Sequence, residues 1–92
     1  MADWKLITHS AEQAKKQMIL DPDSGKKLFE DLFDTYGADG MVFFKRAEAY
    51  EALEDSLSAL ADYRKAKALF PMDEWKAKAQ AGIDRNSPKE LI

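Results

Sequence analysis

The chain has 92 residues, of which 46% are hydrophobic and 34% charged, with a net charge of −3 and no cysteine. This describes one globular domain rather than a disordered or membrane-embedded chain, and it excludes disulfides, thiolate metal sites and cysteine nucleophiles. The acidic balance, with a pI of about 5.1, disfavours a nucleic-acid partner, which would require a basic patch to neutralise phosphates.

The first element is expected over 3–20, where Trp4, Ile7, Ala11, Ala14 and Met18 recur at helical spacing along one stripe. Asp3 and the polar neighbours of Trp4, Leu6 and Ile7 are unlike a signal peptide. No stretch reaches the roughly 18 apolar residues of a membrane span. A cytoplasmic location with no membrane insertion is the default expectation. A turn follows at Asp21-Pro22-Asp23-Ser24-Gly25.

The second helix is expected over 26–36, with Leu28, Phe29, Leu32, Phe33 and Tyr36 apolar, and it ends at Gly37-Ala38-Asp39-Gly40. The third covers 41–53 through Phe43, Ala47, Tyr50 and Leu53. A weaker break at Glu54-Asp55-Ser56 offers a cap to the fourth helix, 57–70, which carries Ala59, Leu60, Tyr63, Ala66 and Phe70. Pro71 closes that helix, and Asp73 opens a fifth over 74–84 with Trp75, Ala79 and Ile83. No segment alternates as a strand does, and the short loops imply antiparallel neighbours.

Residues 40–73 carry a repeat pattern. Phe43, Ala47 and Tyr50 give a large, a small and an aromatic position. Ala59, Tyr63 and Ala66 follow on the partner helix, and Leu69 and Pro71 close the unit. Small residues allow two helices to approach, and aromatics fill the wider gaps. In these positions, and in the run from Arg46 to Leu53, the chain resembles the tetratricopeptide repeat family. It departs from the family at Glu54, where glycine is usual, and at Arg46, where leucine is common. A weaker copy lies upstream: Gly25, Phe29, Leu32 and Gly37 precede Ala59, Tyr63, Ala66 and Pro71 by one repeat length. Trp4, Ile7 and Ala11 match its first helix if about five extra residues are allowed around 18–23. The resemblance implies one all-α domain over 1–92, stacked as a right-handed superhelix. Its parts are a degenerate repeat over 3–36, a well-matched repeat over 40–73, a capping helix over 74–84 and a tail over 85–92.

Signals for chemistry are weak. His9 has no second histidine or cysteine with which to hold a metal. Asp21, Asp23 and Gly25 lack the glycine position and closing glutamate of a calcium loop, and read instead as turn and helix cap. Gly25-Lys26-Lys27 lacks the rest of a phosphate loop. Glu30, Asp31 and Asp34 spread over a solvated face, with nothing to build the desolvated cleft that acid–base catalysis needs. No enzyme activity, cofactor or metal is expected.

The surplus apolar residues lie on the third helix. Phe43, Ala47 and Tyr50 supply a core stripe, and Met41, Phe44, Lys45 and Glu48 form a second beside it. In the resembled family such a stripe lines a concave groove that binds a peptide or helix. Lys5 and His9 from the first helix, with Trp75 and Lys78 from the fifth, would join it. Exposed methionine and aromatics gathered in one patch suit an interface, although Trp75 can instead plug the end of the core. The family's carboxylate clamp would be incomplete. Lys5 holds one of its places, but His9 and Lys45 stand where asparagines are expected and Ala79 where arginine is. The expected function is therefore protein–protein interaction with another protein or peptide. The alternative is a homodimer or larger homo-oligomer formed through the same patch.

Overall fold

The computed structural model describes residues 3–88. Their regular structure is entirely helical: α1 (Trp4–Leu20), α2 (Pro22–Tyr36), α3 (Gly40–Ala52), α4 (Ser56–Leu69) and α5 (Asp73–Asn86). Four aspartates set the starts. Asp3, Asp21, Asp39 and Asp55 are the N-caps of α1 to α4, and each accepts a backbone N–H of the first turn. Asp21 caps α2 directly and Pro22 takes its first helical position, so α2 begins before 26 and absorbs the turn cluster. At the other end α5 continues through Arg85 and Asn86. The remainder of the expected tail, 89–92, lies outside the described residues.

The helices pack in a chain of neighbours. α1 packs on α2 and on α3, α3 on α4, and α4 on α5, while α2 meets α3 only slightly. Small residues stand at the tight contacts. Ala11, Ala47, Ala59, Ala66 and Ala79 are fully buried. Gly25 lies so close to α1 that a Cβ there would sit 2.0 Å from the Met18 Cα, and a Cβ on Gly82 would sit 2.6 Å from the Tyr63 ring.

The core around α3 differs from the expected one. Met41 and Phe44 are buried with Ala47, Ala59, Tyr63, Ala66 and Phe70, whereas Phe43 and Tyr50 are only partly buried against the core. The second stripe of α3 is thus not surplus. Lying between α1 and α4, with α5 beyond, this helix needs apolar residues on more than one side. Trp4 departs in the opposite sense: the buried stripe of α1 is Ile7, Ala11, Ala14 and Met18, and Trp4 is 66% exposed.

Arg46 packs where a leucine is common in the resembled family. Its guanidinium lies 4.9 Å from the Phe33 ring centroid and 5.7 Å from that of Phe43. It donates to both oxygens of buried Asp62, at 2.7 and 2.9 Å. The planar group thereby stacks on aromatics from α2 and α3 while pairing with α4, contacts a leucine could match only in part.

Glu54 is the one described non-glycine residue with a positive φ, 62°. The Glu54 N–H donates to the Glu51 carbonyl at 3.0 Å, and the Asp55 N–H to the Tyr50 carbonyl at 2.9 Å. This is a Schellman closure of α3 with glutamate in the left-handed position that usually takes glycine. The left-handed conformation costs an L-residue about 1–2 kcal/mol, partly offset by the greater freedom glycine loses on folding. Glu54→Gly should therefore stabilise the domain by about 0.5–1 kcal/mol, read as a higher urea midpoint, and Glu54→Ala should give no gain. A lower midpoint for the glycine variant would contradict the assigned backbone conformation.

Candidate functional site

α1, α3 and α5 all begin at one end of the molecule, where the α4–α5 junction also lies. Between them is an open cavity of about 390 Å3, lined principally by Trp4, Ile7, Met41, Phe70, Met72 and Trp75. Trp4 and Met72 stand on its rim, 66% and 55% exposed. Its polar neighbours are already engaged. The Thr8 hydroxyl donates to the Trp4 carbonyl at 2.7 Å, and the Asp39 carboxylate accepts the Met41 and Val42 N–H groups at 2.9 and 3.3 Å. The cavity therefore offers apolar surface and little hydrogen bonding, which suits an apolar side chain of a partner.

Its floor, at Phe70 and Trp75, rests on an aromatic cluster. Phe44 meets Tyr63, Phe70 and Trp75 edge-on at centroid distances of 5.5, 5.9 and 5.6 Å. Phe70 and Trp75 are 5.6 Å apart. Such pairs prefer edge-to-face or offset packing, and these rings adopt that arrangement.

One helical turn below the cavity, α1 and α3 are tied by a ring of alternating charge. Lys45 Nζ lies 2.9 Å from Glu12 and 3.3 Å from Glu48, and Lys15 Nζ lies 3.3 Å from Glu12 and 3.4 Å from Glu48. Burial works against ionisation of Lys45, but its hydrogen bond to Glu12 and the charge of Glu48 raise its pKa on balance. Both lysines are matched within the ring, so a carboxylate arriving from outside meets no free cation there.

The eight residues expected in the groove divide into groups. Met41 and Trp75 line the cavity. Phe44 was expected to be exposed beside the core. It is only 7% exposed and lies under the cavity rather than on its surface. Lys45 and Glu48 belong to the charge ring. Lys78 covers the Trp75 ring at 4.2 Å and pairs with Glu74 at 3.8 Å. Lys5 and His9 do not join the cavity. Its α1 wall is Trp4, Ile7 and Thr8, while His9 lines a separate cleft of about 290 Å3 against α2, with Gln13, Leu28 and Asp31. The buried stripe of α1 is the expected one from Ile7 onward; Lys5 and His9 miss the cavity because it opens beside Trp4, Ile7 and Thr8. Leu69, which closes the repeat pattern, and Met72, next to Pro71, also line the cavity, a role their positions in the sequence did not signal.

At the opposite ends of α3 and α5 Glu51 clasps three helices. Its carboxylate accepts from the Tyr63 hydroxyl at 2.8 Å, from Arg85 Nε and Nη2 at 2.9 and 3.1 Å, and from Asn86 Nδ2 at 2.8 Å. Among the described residues it holds the C-terminal end of α5 on α3 and α4. The Arg85 hydrogen bond, with those of Tyr63 and Asn86, outweighs burial and lowers the Glu51 pKa from 4.5 to about 2. A carboxylate depressed by folding contributes stability above its unfolded pKa and loses it as pH falls through the folded one. Stability should therefore drop as pH is lowered from about 4.5 towards 2. Glu51→Gln should be less stable than the parent at neutral pH, with a shallower acid limb. Urea unfolding at stepped pH measures both, and parallel limbs would show that Glu51 is not the group responsible.

Among the described residues no helix is long and apolar enough to cross a membrane, and no cluster of three or more His, Asp or Glu side chains could hold a metal ion. Comparison with protein families, with curated proteins and with solved structures gives no match.

Proposed function

We propose that this domain is a protein-interaction module of tetratricopeptide type that takes an apolar side chain of a partner helix or extended peptide into the Trp4–Met41–Trp75 cavity. The observation that carries the proposal is an apolar cavity over a cluster of packed aromatic rings, with a tryptophan and a methionine exposed on its rim. Aromatic and methionine side chains left in water around a concavity are a frequent mark of a binding surface. Support for the repeat plan comes from the pairing of α1 with α2 and α3 with α4, from alanine at the close contacts, and from Glu54 in the left-handed position where the family carries glycine.

Both tryptophans of the chain line the cavity, so intrinsic fluorescence reports its occupancy. Peptides selected by display against the domain should shift that emission. Trp4→Ser and Met72→Ser should each weaken binding by about 1–3 kcal/mol with little change in melting temperature. A free C-terminal carboxylate on the peptide should give no advantage over an amide, because Lys45 and Lys15 are occupied by Glu12 and Glu48. Selected peptides that bind both variants as tightly as the parent would place the site elsewhere. Self-association is the second reading, favoured by exposed Leu6, Leu20, Leu28 and Leu57. Light scattering over a range of concentration separates the two.

A further inference from the structure

The α3–α4 turn differs from the other three. α1 and α2 are separated at Asp21-Pro22, α2 and α3 by Gly37 and Gly40, and α4 and α5 by Pro71. From Met41 to Phe70 there is neither glycine nor proline. The turn at Leu53-Glu54-Asp55 is made instead by a glutamate in the left-handed conformation, though leucine and glutamate both favour helix. The sequence there also fits a continuous helix. Tyr50, Leu53, Leu57 and Leu60 recur at three-and-four spacing across the turn, so on an unbroken helix they would form one apolar stripe. In the observed fold that stripe is interrupted, and Leu57 is left 73% exposed.

From these features we infer that two copies of this chain can exchange α4 and α5. In the exchanged form α3 and α4 become one helix from Gly40 to Leu69, about 45 Å long. Two such helices lie antiparallel about a two-fold axis at residue 54. Each α3 then packs on the partner's α4 through the contacts already seen within one chain. Glu54 returns to helical φ in both copies, and Leu57 gains a neighbour at the axis. Short hinges under strain favour such exchange. Each cavity would be composite, with α1 and α3 from one copy and the α4–α5 junction from the other, because Gly40 lies against Leu69 and Phe70. The exchange does not depend on what the cavity binds.

The test is to take concentrated protein through its unfolding midpoint, return it to native conditions, and measure mass by size-exclusion chromatography with light scattering. The parent should yield a dimer of the 10.4 kDa chain. Glu54→Gly, which removes the strain from both hinges, should lower the dimer fraction about tenfold. Trp4→Ser should leave the dimer intact, and differently tagged dimers should exchange subunits only on unfolding. A parent that stays monomeric throughout overturns the inference. So does a dimer fraction unchanged by Glu54→Gly, or a dimer lost in Trp4→Ser and exchanging freely, which would indicate contact through the cavity rim.

Discussion

Phe44→Ser should destabilise the domain by about 3–5 kcal/mol, as removal of a buried phenylalanine does. The side chain touches aromatics of α4 and α5 and of the junction between them, so truncation leaves a void that no single neighbour can fill. Its edge contacts to Tyr63, Phe70 and Trp75 are lost together. The serine hydroxyl adds the cost of a polar group placed where hydrogen-bonding partners are scarce. Since a domain of this size has only about 5–15 kcal/mol of net stability, much of the margin is removed. Thermal and urea unfolding measure the loss. Trp4→Ser, at an exposed aromatic, serves as the control and should change little. Equal melting temperatures for the two variants would return Phe44 to the surface.

Gly25→Ala should be destabilising even though helix propensity alone predicts a gain of about 1 kcal/mol. The added methyl would overlap the Met18 Cα at 2.0 Å, its Cβ at 2.2 Å and its N at 2.3 Å. Two of these atoms are backbone, so no rotamer change makes room and α2 must move off α1. Overpacking of this kind costs about 1–3 kcal/mol, sometimes more, and Gly25→Leu should cost more again. Lys27→Ala, on the exposed face of the same helix, is the comparison. A stabilised Gly25→Ala would show that α1 and α2 are not in close contact here.

The helices were legible because their signals are local. Aspartates before apolar runs, proline at 22 and 71 and glycine at 37 mark ends without reference to the rest of the chain. The small-residue code also carried information: Gly25, Ala47 and Ala59 are all buried. The division of α3 into core stripe and groove stripe was not legible, because it depends on how many helices surround α3. Spacing ranks Phe43 and Phe44 alike, and only the positions of α1, α4 and α5 decide that Phe44 is covered while Phe43 leans on Phe33. Trp4 was misplaced for a related reason. It lies at the first turn of α1, beyond the reach of the helices that bury Ile7, and periodicity has no means of registering where a neighbour stops. The charge ring joins residues 33 apart in sequence, Glu12 with Lys45 and Lys15 with Glu48, a pairing visible only once α1 lies on α3.

The cavity draws its walls from α1, α3, α5 and the end of α4, and takes nothing from α2, which rests chiefly on α1. A bound partner therefore pulls on four helices and leaves the fifth as a bystander. By mass action, occupancy slows the opening of whatever must stay folded to keep the site. Amide protons in α3, α4 and α5 should become harder to exchange on binding, whereas those of α2 can still be released by its own detachment from α1. In that sense the exposed face of α2, at positions such as Lys27, Glu30 and Asp34, can carry a label or change in sequence without the bound partner registering it, while Gly25 and Phe29 stay fixed by α1.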